Sequence, residues 1–350
     1  MKYLIALLFQ LSVLSLLGQK KVNLQVFGSL LYEFNAIPSD SLEPYTGGFE
    51  IQEQDFFVTA NLHERWDFLG EFIIRPDQSM SGFSAGIMRA RMKYKINDNH
   101  SFLFGRMHSA VNYWNDVYYH GRVLFPTVDR PLNFKYYLPM HFIGARIQGQ
   151  GIGKYNFGYD LSLGNRSLTS DIDALAYVAS INIQPKNGVR WMLGYSNDQF
   201  VDLSAANMFH GPTVTYHNHD YDGEIKLNQL YFSFARFRKN FEFLNETVGV
   251  YSVSDSLGAS TSFSNYTYAG YRIKDQWIPY AMIDIMSIGE KELYVRRVET
   301  LKFALGCRYE YSPLVNLRLQ LENYSGLPWR PSSEGQKDKF EVKLQLSYAF

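Results

Sequence analysis

Four cationic side chains stand on alternate positions of one short stretch: Arg89, Arg91, Lys93 and Lys95. Alternate residues of an extended chain point the same way, so this spacing builds one basic row on one face of a strand. Arg65, Arg75, Arg106 and Arg146 lie in neighbouring segments and extend the row. A row of this kind attracts anions and orients polar solutes. The longest segment without strand alternation, 109–139, carries Asp116 and Asp129 among Asn112, Tyr113, Trp114, Asn115, Tyr118, Tyr119, His120, Arg122 and Arg130. Its acids set opposite the basic row would create a transverse field across a water-filled opening and sort ions by charge. The plainer reading is a solvated wall that pairs its own charges. It stays open, because Asp67, Glu71, Asp160, Asp284, Glu310, Glu322 and Glu341 share the inward phase.

A second group is His210, His217 and His219 with Asp220 and Asp222, in the segment 200–222. Imidazole and carboxylate suit Zn, Cu or Ni, and His217 and His219 share one side of an extended chain. The alternative is an ordinary polar loop. No Gly-x-Ser-x-Gly elbow, phosphate loop or zinc-protease helix motif occurs, and the scattered histidines select no catalytic pairing, so no enzyme and no cofactor is expected. The single Cys307 makes neither an intramolecular disulfide nor a thiolate cluster, and reads as a small residue on an apolar face. Lys plus Arg (34) balances Asp plus Glu (34), which excludes the basic excess that nucleic-acid binding needs.

The elements that must carry these residues are strands. Leu301, Phe303, Leu305, Cys307, Tyr309 and Tyr311 alternate with Lys302, Ala304, Gly306, Arg308 and Glu310; segments 315–324 and 339–350 repeat the pattern. Period two with one apolar and one wet face predicts strands near 22–34, 49–61, 64–75, 84–97, 100–108, 140–150, 154–165, 174–184, 189–199, 223–237, 240–253, 261–274, 277–288, 299–312, 315–324 and 339–350. The alternation slips in 223–237 and 240–253. Connections alternate in length. The long ones are 35–48, 76–83, 109–139, 166–173, 200–222, 254–260, 289–298 and 325–338. Sorting by parity is what a membrane barrel does, with tight periplasmic turns and long external loops.

The expectation is therefore an all-β transmembrane antiparallel barrel of about sixteen strands, or about fourteen or eighteen if two segments are misread. Residues 22–34 should pair with 339–350, since lipid tolerates no free sheet edge. Trp66, Tyr155, Trp191, Trp277 and Tyr324, near strand ends, suit the aromatic girdles. Residues 1–18, with Lys2 before the apolar run Leu4 to Leu17, read as a cleaved signal peptide, leaving 19–350 as the barrel.

Within residues 89–151, Gly105-Arg106-Met107-His108, Tyr113-Trp114-Asn115, Tyr119-His120-Gly121 and Leu138-Pro139-Met140-His141-Phe142 resemble a pattern in porin-like outer-membrane proteins of Gram-negative bacteria. That pattern has Gly before Tyr-Trp-Asn and His-His-Gly after it; Asn112 and Tyr119 stand at those places here. The resemblance implies an integral outer-membrane barrel with both termini periplasmic and no defined substrate. The position of 109–139 resembles the third loop of general porins, which implies a loop that folds into the lumen and constricts it. Terminal Phe350 resembles the signal read by the barrel-assembly machinery. The partners implied are the lipid bilayer, that machinery, small hydrophilic solutes and a homotrimer. The function expected is passive diffusion past a constriction set by Arg65, Arg89, Arg91, Lys93, Lys95, Arg106, Arg146, Asp116 and Asp129. The alternative is a plugged barrel serving as scaffold or accessory subunit of a larger outer-membrane complex.

Overall fold

A computed structural model describes residues 22–36, 45–77, 82–118, 122–138, 141–165, 175–185, 188–201, 221, 223–238, 240–295, 300–327 and 338–350. The expected signal peptide and the histidines His210, His217 and His219 lie outside the described residues.

The strands are β1 (Val22–Ala36), β2 (Tyr45–Ile51), β3 (Gln54–His63), β4 (Trp66–Asp77), β5 (Gly82–Lys95), β6 (His100–His108), β7 (His141–Ile152), β8 (Phe157–Asn165) and β9 (Ala176–Ile183). They continue with β10 (Val189–Val201), β11 (Glu224–Arg238), β12 (Phe241–Ser254), β13 (Gly258–Tyr271), β14 (Trp277–Ser287), β15 (Thr300–Ser312), β16 (Val315–Ser325) and β17 (Lys339–Ala349). β2 and β3 lie end to end along β1. Leu30 faces Ile51 and Phe27 faces Asp55, a one-residue shift that makes Gln52–Glu53 a bulge in one continuous stave. The seventeen segments thus form the sixteen staves of a closed antiparallel barrel. Closure is direct: β1 pairs with β17, and Val26 and Phe350 exchange both backbone hydrogen bonds at 2.8 and 3.0 Å. No edge is left for water or another chain to satisfy.

The outer face carries Leu161, Ile181, Leu193, Leu230, Leu305, Leu319 and Leu344, all exposed. An apolar surface that encircles a barrel needs hydrocarbon rather than water as its solvent. Aromatic pairs join adjacent strands at the short-turn end: Trp66 with Tyr94, Trp191 with Phe234 and Trp277 with Tyr309, with ring centroids 4.9, 4.3 and 4.5 Å apart. Tyr324 departs from the expected girdle. Its side chain shares the inward phase of Glu322 and hydrogen-bonds that carboxylate at 2.8 Å. A second departure is the connection after β12, which is only the turn 255–257. Gly258, at φ 76°, makes the tight reversal that lets β13 begin early. The expected long connection 76–83 shortens as well, to the four residues 78–81 between β4 and β5, no longer than the 96–99 turn that follows β5. The remaining connections keep the expected alternation of length.

Strand phase decides which residues reach the lumen, and one bulge resets it. β4 and β5 shift register at Glu71 and Phe72, leaving Met88 as the extra residue. Phe83 and Ile87 before it face outward, whereas Arg89, which shares their odd parity, pairs opposite inward Glu71. Without this bulge the basic row would face lipid.

Candidate functional site

The segment between β6 and β7 enters the barrel and crosses it. Asn112 begins the crossing at φ 70°, in the left-handed region that Asn enters at less cost than most residues. Helical turns follow at Trp114–Tyr118, Arg122–Leu124 and Leu132–Tyr136. Wall side chains meet backbone groups that strand ladders would otherwise have used. Glu246 on β12 accepts from Trp114 N at 3.1 Å, Asp284 on β14 from Leu132 N at 2.6 Å, and Gln320 on β16 from Val128 N at 3.0 Å. Arg318 donates to the carbonyls of Phe125 and Val123, Arg308 to that of Pro126 and Gln229 to that of Tyr137. Buried backbone groups must be paired, and these contacts supply the partners of a loop that runs through the middle of a protein.

Charge pins the loop at both sides. Asp129 meets Lys302 at 2.9 Å and Lys343 at 2.7 Å, and these lysines also bind Glu322. Arg130 meets Glu53 at 2.5 Å and stacks over Phe125 and Phe134. Asp116, at the opposite side, meets Arg190 at 2.5 Å. The two acids expected to share one constriction therefore stand apart: Asp116 beside β10, Asp129 beside β15 and β17.

One half of the inner wall is dry. Leu227, Tyr231, Leu244, Val248, Tyr266, Tyr268, Tyr280 and Met282, on β11 to β14, point inward and pack against Val111, Trp114, Phe125, Leu132 and Tyr137 of the loop. Trp114 is fully buried, edge-on to Phe125 at 4.8 Å and to Tyr266 at 6.1 Å. Burial pushes the Tyr118 and Tyr137 phenols well above their usual value, so both stay neutral. The segment after β14 caps this half. Tyr294 stacks on Phe200 at 4.8 Å, and Glu292 accepts from Ser252 Oγ at 2.7 Å and Tyr294 N at 2.9 Å. Burial raises the Glu292 carboxyl above its ordinary range.

The other half is wet and basic. A cavity of about 190 Å³ is lined by Arg89, Arg91 and Lys93 of β5, Arg146, Gln148 and Gln150 of β7, Asp160 of β8, and Met107, His108, Ser109, Asn115 and Asp116 on the loop side. Arg89 is ion-paired to Glu71, and Arg146 to Asp160 at 3.7 Å. Among the described residues no carboxylate lies within 4.0 Å of Arg91 or Lys93. Four cations and two acids, Asp116 and Asp160, line the space, so its field is positive.

Three expected lining residues stand elsewhere. Lys95 is at the short-turn end, paired with Asp67 at 3.0 Å. Arg65 belongs to the turn between β3 and β4, is exposed, and donates to Tyr94 Oη at 3.4 Å. Its position in a turn, where strand parity has no meaning, removes it from the inward row. Arg106 shares the outward phase of Phe102 and Phe104, pairs opposite Ala90 and Ile143, and caps the carbonyl of bulged Met88 at 3.0 Å. The groups that sequence reading missed are the anchors Arg190, Gln229, Glu246, Arg308, Asn316, Arg318 and Gln320. Their only signal was inward phase, which solvated wall residues share.

The sequence matches no family model and no curated protein. Solved structures share its architecture. An anion-selective porin from Comamonas acidovorans superposes with a TM-score of 0.67 at 10% identity, over 95% of this chain and 100% of that one. OprB of Pseudomonas putida gives 0.62 at 11% identity over 96% of each chain. A loop L8 deletion mutant of OmpT, an outer membrane protein of Vibrio cholerae, gives 0.63 at 9% identity over 95% and 99%. At such identities the likeness establishes the fold, that of a porin-like outer-membrane barrel.

Proposed function

We propose that the chain is an integral outer-membrane channel for small hydrophilic solutes, narrowed by the 109–139 loop and favouring anions along the β5–β8 wall. The observation that carries this reading is the cavity beside Arg91 and Lys93. A space lined by four cations and only two carboxylates, with no carboxylate within 4.0 Å of Arg91 or Lys93 among the described residues, lowers the energy of a passing anion and raises that of a cation. The loop leaves this side free of aromatic packing while it fills the side where the wall is apolar. The apolar outer face, the closed sheet and the porin fold support insertion in the outer membrane. Short turns facing the periplasm and Phe350 as an assembly signal follow from the same reading.

A second reading has its own observation. The loop is bonded from Asp116 beside β10 to Asp129 beside β17, across the full lumen. A barrel sealed by that crossing would act as a scaffold for a larger assembly. Single-channel recording of the folded protein in a planar bilayer under a salt gradient decides between them. The channel reading expects steady conductance steps with a reversal potential on the anion side. It also expects the double variant Arg91→Ala, Lys93→Ala to move that potential toward cations. Silence from folded protein would leave the sealed scaffold.

A further inference from the structure

The basic cavity is not lined by cations alone. Beyond Arg91 and Lys93, β7 and β8 line the same space with Gln148 and Asp160, which stand opposite each other in the strand ladder. Both residues are more than nine-tenths buried, with exposures of 7% and 6%. Among the described residues the Gln148 carboxamide has no hydrogen-bond partner. Asp160 has one ion pair, to Arg146 Nη1 at 3.7 Å, a separation too long for a hydrogen bond. Arg146 donates elsewhere, through Nε to Ser162 Oγ at 3.1 Å and through Nη2 to the carbonyl of His108. Asp160 is thus neutralised through space while its carboxylate accepts no hydrogen bond from a described residue. The other acid on the lining, Asp116, is held by Arg190.

Polar side chains this buried are ordinarily hydrogen-bonded. For Gln148 and Asp160 the partners have to come from what occupies the cavity, and the two sides of the space ask for different chemistry. Arg91 and Lys93 call for an anionic acceptor, and a planar guanidinium suits a carboxylate. Asp160 calls for a donor, best a charged one, and Gln148 beside it offers a further acceptor and donor. Water meets each group singly. One molecule that carries both charges meets them together, without ordering several waters. The volume of about 190 Å³ is several times what one water needs. Among the described lining residues only Met107 is apolar, so the space does not suit a long hydrocarbon chain.

We propose that this cavity is a saturable binding site for small α-amino acids in their zwitterionic form. The proposal rests on the channel reading and names the class of solute that the channel retains. The carboxylate meets Arg91 and Lys93, and the ammonium meets Asp160 with the carbonyl oxygen of Gln148. An α-amino acid carries both charges at neutral pH, on neighbouring carbons. The alternatives are each rejected by one side of the site. A plain carboxylate satisfies the cations but sets its charge near Asp160 and leaves that group without a donor. A plain amine suits Asp160 but meets Arg91 and Lys93 as a like charge. Discrimination of this kind comes from the unpaired group as much as from the paired one.

The test is entry of radiolabelled alanine into proteoliposomes that carry the folded barrel, with glycerol as a neutral solute of similar size. Alanine entry should saturate with concentration while glycerol entry stays linear. Unlabelled alanine should compete at about one-tenth of the concentration needed of propionate, which lacks the ammonium, or of ethylamine, which lacks the carboxylate. Asp160→Asn should raise the half-saturating alanine concentration about tenfold and erase the preference over propionate. Gln148→Leu should raise it less. Heat-modifiable migration checks that each variant is folded, and the wild-type competition decides the matter even where a variant is not. Linear alanine entry, or equal competition by the three compounds, in a barrel that passes glycerol overturns the proposal and leaves the channel standing. A folded barrel that passes neither glycerol nor alanine strikes down the channel reading, and the site with it.

Discussion

The two halves of the lumen obey the same strand geometry and hold opposite chemistry. On β11 to β14 the inward rows carry Leu227, Tyr231, Leu244, Val248, Tyr266, Tyr268, Tyr280 and Met282, onto which the loop packs as one domain core packs onto another. Gln229, Glu246 and Asp284 stand among them and bond its backbone. On β5, β7 and β8 the inward rows include Arg89, Arg91, Lys93, Arg146, Gln148 and Asp160, and a cavity remains. Inward is therefore not a synonym for wet. In a barrel this wide the lumen has room for chain, and wall composition follows whichever of chain or water the wall must meet. The dry half holds the loop in place, and the basic half keeps an open cavity.

That division can be broken from the dry side first. Trp114→Ala removes the largest fully buried loop side chain and should cost about 3–5 kcal/mol, read as a lower urea midpoint for the folded barrel, with noisier channel currents as the loop loosens. A variant as stable and quiet as wild type would mean that the loop is held by its polar anchors alone. Asp129→Asn comes next. It strips the carboxylate that Lys302 and Lys343 share and leaves Lys302 to Glu322, and Lys343 to Glu322, Glu341 and Glu33, so a loss of roughly 3 kcal/mol is expected. Charge reversal elsewhere on the loop should not reproduce it.

The wet side should respond in the opposite currency. Arg91→Ala with Lys93→Ala breaks no ion pair among the described residues, so the unfolding midpoint should move by less than ~1 kcal/mol while the reversal potential shifts toward cations. Trp114→Ala should do the reverse. If both variants altered both readouts, the halves would not be separable. The smallest effect sharpens the boundary. Glu292 has a raised carboxyl because it is buried, so its contribution is fully present below the ordinary carboxylate range and is lost as pH rises through the raised value. Glu292→Gln should therefore gain on wild type between pH 5 and pH 8, by under ~1 kcal/mol, in paired urea titrations at the two pH values.

The stretches where sequence reading faltered mark the same division. The alternation expected in 223–237 and 240–253 slipped because the polar and apolar faces are partly exchanged there. Leu227, Tyr231, Leu244 and Val248 point into the lumen, and Asn228, Asn245 and Thr247 point out. The strands are regular; the solvent assignments are not. The basic row was legible, since Arg89, Arg91, Lys93 and Arg146 do line one cavity. Arg65 and Arg106 were misplaced for local reasons, a turn and an outward phase. Asp116 and Asp129 were both set opposite the basic row in one constriction because a sequence gives no sign of how far a loop travels between two residues.

The sequence by itself determined the staves, their order, the closure of 22–34 on 339–350 and most of the connection lengths. Period-two patterning is local, and the need to pair every backbone group in lipid leaves a closed barrel as the one sheet without edges. Only the tertiary structure decided the bulges at Gln52–Glu53 and Met88, the separation of the two acids and the division of the lumen. These depend on contacts between residues far apart in the chain, where a buried loop must find partners for its own backbone and a core for its aromatic rings.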